Sequence, residues 1–132
     1  MKKKKVLVVD DELDTRTFIS TLVETKGYRA IVAVNGEEGI QKARESEPAA
    51  IILDVMMPRE GGIQMYRQLK MDEELKDIPV IMLSAIAKKT FFHSQEVLDI
   101  YRGQKVQEPA AYIEKPPDTD ELLKVLEECI GS

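Results

Sequence analysis

Five short apolar runs punctuate this chain of 132 residues: VLVV at 6–9, AIVAV at 30–34, AIIL at 50–53, VIML at 80–83 and AYIE at 111–114. No other feature narrows the possible folds as much. The runs are rich in β-branched residues, and the first lacks the polar–apolar alternation of a half-solvated strand, so the pattern is that of strands covered on both faces. Longer amphipathic stretches lie between them and can supply that cover.

The first such stretch runs from about Glu12 to Lys26, turns Phe18, Ile19, Leu22 and Val23 to one face, and stops at Gly27. Asn35 and Glu38 stand at capping-box spacing and open a short helix carrying Ile40 and Ala43, which Pro48 ends. A third helix is expected from about Gly62 to Met71 with Ile63, Tyr66 and Leu69 inward, and a fourth near 90–102 with Phe91, Val97, Leu98 and Tyr101. TDELLKVLEECI, 119–130, closes the chain as a helix with Leu122, Leu126 and Cys129 on one stripe. Five β–α units without a linker, repeat or low-complexity tract predict one α/β domain over 1–132, with no output domain in it. The expected architecture is a doubly wound five-stranded parallel sheet of order 2-1-3-4-5, the flavodoxin-like (βα)5 arrangement.

Charge excludes some partners. Lys and Arg total 19 against 24 Asp and Glu, a net charge of −5, which offers no general attraction to nucleic acid or to an anionic membrane. No apolar run is long enough to span a bilayer. The Lys2–Lys5 run leads straight into a strand and reads as a solvated flank. Cys129 is the single cysteine, unable to form an internal disulfide, and its place in the last apolar stripe makes it a structural thiol. A cytoplasmic protein is expected, without membrane insertion.

In a sheet of this order, ligands gather at the carboxyl ends of the strands near the switch in strand order. Strand one ends in Asp10 and Asp11, strand three in Asp54, strand four in Ser84 and strand five in Lys115. Close carboxylates repel by about 4 kcal/mol per pair at an effective dielectric near 20, so an empty cluster is costly and a divalent cation relieves it. Oxygen ligands without a nearby cysteine or histidine suit Mg²⁺, which keeps several waters and shares a phosphoryl oxygen. Ser84 and Lys115 then face the phosphoryl group as hydrogen-bond donor and point charge. Asp54, between a metal site and a cation, is suited to attack phosphorus and carry the group as an acyl phosphate.

Simpler readings of the same residues exist. Asp10, Asp11 and Glu12 are also what a helix N-terminus favours, Ser84 can cap the helix after it, Lys115 can be a surface lysine, and Tyr112 can be a wall of the core. His93, the only histidine, lies far from the strand ends and reads as a partly exposed helical residue.

VLVVDDE at 6–12, LDVMMPREGG at 53–62, MLSA at 82–85 and YIEKP at 112–116 together resemble, in order and over essentially the whole chain, the response regulator receiver domain of two-component signalling. The resemblance, of the single-domain chemotaxis-regulator kind, implies a signalling protein without a turnover substrate. It implies Asp54 as the acceptor of a phosphoryl group from a histidine kinase or phosphotransfer protein. It implies Asp11 and Asp54 as Mg²⁺ ligands with the Met56 carbonyl, and Asp10 acting through water. Ser84 is implied to shift toward the phosphoryl group, and Tyr112 to change rotamer with it. The face formed by the fourth helix, fifth strand and fifth helix then controls an output protein that the sequence does not identify. A cis bond is implied before Pro116, where the proline amide lowers its cost. The expected state is a monomer or weak dimer.

Rival functions founder on particular residues. A flavin binder wants a Ser/Thr/Gly-rich phosphate loop after strand one, where DDE repels phosphate. A phosphohydrolase using Asp10 leaves Asp54 and its Pro-Gly loop without a role. A receiver-like module that is never phosphorylated has no need of Asp10, Asp11, Asp54, Ser84 and Lys115 together. One departure from the family pattern is the long interval between Ser84 and Lys115, with GQKVQEPAA at 103–111 in place of the usual turn. The segment from about Lys88 to Ala111, with Lys88, Lys89 and Lys105 near Phe91, Phe92 and Tyr101, is expected to be the adaptable output surface.

Overall fold

The computed structural model describes residues 3–55, 61–91, 93 and 108–131. Five parallel strands, β1 (Lys5–Val9), β2 (Arg29–Ala33), β3 (Ala50–Asp54), β4 (Val80–Ser84) and β5 (Ala111–Glu114), form one sheet of order β2-β1-β3-β4-β5. The pairing Val9↔Leu53 and Asp54↔Leu83 sets the ends of β1, β3 and β4 side by side. Asp10 extends the outer ladder by donating its N–H to the Ala33 carbonyl.

Helices α1 (Leu13–Thr25), α2 (Gly36–Ser46), α3 (Gly61–Met71) and α5 (Thr119–Ile130) cover the sheet, and a further helix, α4, begins at 88 and is described at 88–91 and 93. Period-two alternation along the strands divides the core between the two faces. Leu7, Val9, Ile51, Leu53 and Met82 pack with Ala43 of α2, with Met65, Tyr66 and Leu69 of α3, and with Phe91 of α4. Val6, Val8, Ile52, Ile81 and Leu83 pack on the other face with Ile19 and Val23 of α1 and Leu122 and Leu126 of α5.

Helix ends follow the side chains available. The Asn35 side chain accepts the Glu38 N–H at 2.8 Å, while Glu38 reaches back to the Val34 N–H at 3.0 Å, a capping box displaced by one residue. Asp118 caps α5 by accepting the Glu121 N–H, and Gly131 ends it with φ of 76°. Between α3 and β4 the Lys70 ammonium donates to the carbonyls of Lys76 and Ile78 and lies over the Tyr66 ring. Burial draws the pKa of Lys70 down, against the opposing charge of Asp77.

The structure corrects two sequence expectations. Phe18 is 49% exposed although its neighbour Ile19 is fully buried. β2 ends at Ala33, which leaves Val34 exposed. The fourth helix starts at 88, ahead of the expected 90, and its anticipated inward residues Val97, Leu98 and Tyr101 lie outside the described residues. Among the described residues, no helix is long and apolar enough to cross a membrane.

Candidate functional site

The ends of β1, β3 and β5 bring charged side chains together where the strand order reverses. Asp10 and Asp54 are 1% and 2% exposed, a degree of burial that a carboxylate tolerates only with hydrogen bonds or a counter-charge. Lys115, the first residue after β5, supplies the charge: its ammonium is 3.4 Å from Asp10 Oδ2 and 3.4 Å from Asp54 Oδ2. Burial alone draws the Lys115 pKa down, but the charges of Asp54 and then Asp10 outweigh it and leave it raised. Its backbone is fixed as well, because the Lys115 N–H donates to the Ser84 carbonyl at 2.7 Å. The Lys115–Pro116 peptide bond is cis.

The chain leaves β1 through a tight turn. The Glu12 N–H donates to Asp10 Oδ1 at 2.9 Å, and the Arg16 guanidinium donates to the Asp10 carbonyl at 3.0 Å. That turn brings Glu12, not Asp11, to the buried acids: carboxylate oxygens of Asp10, Glu12 and Asp54 lie within 4.8 Å of one another. Asp11 is exposed and stands outside this group. Three carboxylate oxygens at such spacing form a hard, all-oxygen donor set of the kind that Mg²⁺ or Ca²⁺ accepts. Met56 lies outside the described residues.

Glycine holds the floor of the site. A β-carbon on Gly62 would collide with the Asp54 carbonyl oxygen and stand 2.5 Å from Val55 Cα, so only glycine lets α3 begin this close to the end of β3. Val55 itself is tied to β4 by donating its N–H to the Leu83 carbonyl.

Ser84 and Tyr112 share a backbone partner, Ile86. The fully buried Ser84 hydroxyl accepts the Ile86 N–H at 3.0 Å, and the Tyr112 hydroxyl donates to the Ile86 carbonyl at 2.7 Å. The Tyr112 ring points inward, its centroid 4.9 Å from that of Phe91. Its pKa is raised by burial, with the Ser84 hydroxyl pulling it down and the Glu114 charge adding to the rise. Glu114 also accepts the Lys88 N–H at the start of α4.

Sequence reasoning therefore named Asp10, Asp54 and Lys115, which the fold brings together, and did not group Glu12 with them, although its carboxylate lies beside the two buried acids. A signal for Glu12 existed: it occupies the N-cap position of α1, where Ser, Thr, Asp or Asn is the usual choice. Lys88 and Lys89 are exposed as expected, but Phe91 is buried in the core, and Phe92, Tyr101 and Lys105 lie outside the described residues. His93 is exposed on α4. Cys129 is half-buried, its thiol pKa pushed up by burial and then by Glu128.

Residues 6–127 match the family model described as the response regulator receiver domain. Among curated proteins, the polar-differentiation response regulator DivK of Brucella anthropi is 32% identical over 133 residues, covering 99% of this chain and 98% of DivK. The "Probable transcriptional regulator ycf27" of Pyropia yezoensis is 36% identical over 121 residues, 92% of this chain. The chain spans about half the length of that second relative, 45%. Among solved structures, the chemotaxis response regulator CheY4 of Vibrio cholerae superposes with a TM-score of 0.80 at 26% identity, covering 97% of this chain and 99% of CheY4.

Proposed function

Because the chain belongs to the response regulator receiver domain family, we propose that it works in the cytoplasm by accepting a phosphoryl group on Asp54 from a histidine kinase or phosphotransfer protein. The observation that carries this reading is the pair of buried carboxylates, Asp10 and Asp54, each 3.4 Å from one ammonium. A carboxylate oxygen of Asp54 attacks phosphorus. The new O–P bond forms as the donor's P–N bond breaks, and the bonding pair stays with the departing imidazole nitrogen, which takes a proton from solvent.

Lys115 neutralises one phosphoryl oxygen from the β5 side. Mg²⁺ bound beside Asp54 would supply further positive charge toward the phosphoryl group. The acids at the end of β1 and Asp54 would hold it, and the resemblance adds Asp11 and the Met56 carbonyl; the oxygen donor set suits such a hard cation. Ser84, whose hydroxyl oxygen accepts the Ile86 N–H, turns its O–H toward the phosphoryl group as a donor once that group is present. Movement of Ser84 pulls on Ile86, whose carbonyl holds the Tyr112 hydroxyl. A new charge at Asp54 thereby reaches α4, β5 and α5, the face proposed to control an output protein.

Intact-mass spectrometry after incubation with acetyl phosphate tests the reading. Wild-type protein should gain one phosphoryl group in the presence of Mg²⁺ and little in its absence, and Asp54→Ala should gain none. Equal labelling of wild type and Asp54→Ala would sink the assignment.

A further inference from the structure

We propose that a basic groove at the opposite end of the sheet from the buried acids docks an extended acidic segment of a partner protein. The proposal stands apart from the phosphorylation reading. Side chains alternate along the strands, so Lys5 of β1 joins Arg29 and Ile31 of β2 on the face that α2 covers. α2 stops at Ser46, and under its last turn a groove of about 300 Å³ remains, lined by Lys5, Arg29, Ile31, Lys42, Glu45 and Ser46. Three cations line it with one carboxylate, on a chain whose net charge is −5. Lys3 and Lys4 extend the positive surface: both are exposed, and the Lys4 carbonyl accepts the Arg29 N–H at 2.9 Å.

The cations are held in place largely by neutral oxygens. The Lys5 ammonium donates to the Ser46 carbonyl at 3.3 Å and the Lys42 ammonium to the Val32 carbonyl at 2.6 Å, and each ammonium has three donors to give. Lys42 also stands 3.6 Å from Glu38. Among the described residues, no carboxylate pairs with the Arg29 guanidinium. Positive charge fixed in place and only partly neutralised favours carboxylates brought by a partner. Ile31, partly buried, gives the groove an apolar floor for a side chain between two such carboxylates. Glu45 and Glu47, both exposed at the end of α2, repel a flat anionic surface such as a bilayer, whereas a peptide threads single carboxylates past them. From Lys5 to Asp10 the chain advances about 17 Å along the strand, so an occupant here leaves the buried acids open.

Fluorescence anisotropy with a fluorescein-labelled decapeptide of glutamates around a central leucine tests the proposal on wild type, Arg29→Glu and Lys124→Glu. Lys124 is an exposed lysine of α5, which covers the other face of the sheet, so its reversal changes net charge equally but away from the groove. Wild type should bind the peptide. Reversal of a charge about 5 Å from a bound carboxylate should weaken binding roughly tenfold in Arg29→Glu. Screening should hold Lys124→Glu to within about twofold of wild type. No binding by wild type, or equal losses in the two variants, overturns the proposal. Arg29-dependent flotation with phosphatidylglycerol vesicles in place of peptide binding also overturns it, by assigning the surface to a membrane. Arg29→Glu replaces an exposed side chain and keeps the backbone bond to Lys4, and thermal melts confirm that both variants fold.

Discussion

Replacing Gly62 with alanine puts a methyl group where the end of β3 already stands. The added carbon would lie 2.5 Å from Val55 Cα, 2.9 Å from Val55 C, and against the Asp54 carbonyl oxygen. All three are backbone atoms, and Val55 is pinned to β4 through the Leu83 carbonyl, so no side-chain rotation relieves the contact. Overpacking of this kind costs about 1–3 kcal/mol, and rigid backbone neighbours favour the upper end. Alanine recovers up to about 1 kcal/mol of helix propensity in α3. The balance is a loss of about 2 kcal/mol. For 132 residues the unfolding entropy is roughly 0.28 kcal/mol/K, so the midpoint should fall by about 7 °C. Differential scanning calorimetry measures this directly, with urea denaturation as a second estimate. Because the displaced atoms belong to Asp54 and Val55, phosphorylation by acetyl phosphate should slow as well. A Gly62→Ala protein that melts at or above the wild-type temperature would refute the reasoning.

Two further substitutions test separate parts of the account. Lys115 has a folded-state pKa raised above its ordinary value of 10.5, so its stabilising contribution is present below that value and is lost as pH rises through the folded pKa. The stability difference between wild type and Lys115→Met, followed by urea denaturation, should therefore be constant near neutrality and shrink above about pH 10.5; a difference that is flat up to the alkaline unfolding limit contradicts the ion-pair geometry. Asn35→Ala removes the cap on α2 and should cost about 1 kcal/mol in urea denaturation without altering phosphorylation, since Asn35 lies outside the site.

Where local signals agreed, the sequence was legible to the residue. β5 and α5 have the expected bounds, and those of α5 follow from Asp118, which caps the helix, and Gly131, which ends it. Phe18 shows where a hydrophobic pattern is too coarse. At about 100° per residue, Ile19 and Val23 lie some 40° apart, Leu22 is about 60° from Ile19, and Phe18 is about 140° from Val23. Burial follows those angles, from fully buried Ile19 and Val23 through partly buried Leu22 to exposed Phe18. The site behaved similarly. Strand ends locate Asp10, Asp54 and Lys115, because a parallel sheet of known order leaves little freedom in where they go. Which of Asp11 and Glu12 turns inward depends on the Asx turn in which Asp10 accepts the Glu12 N–H, a turn that Asp10 favours but whose effect on the two acids after it the strand and helix pattern does not show.

Borohydride trapping tests the central claim, an acyl phosphate on Asp54, most directly. Sodium borohydride reduces an acyl phosphate to an alcohol and converts the phosphorylated aspartate to homoserine. After incubation with acetyl phosphate and Mg²⁺, tandem mass spectrometry of the proteolysed protein should find homoserine at position 54, with Asp10, Asp11 and Glu12 unchanged. Reduction at any of those three acids in place of position 54, or no reduction in protein whose intact mass shows a gained phosphoryl group, would contradict it.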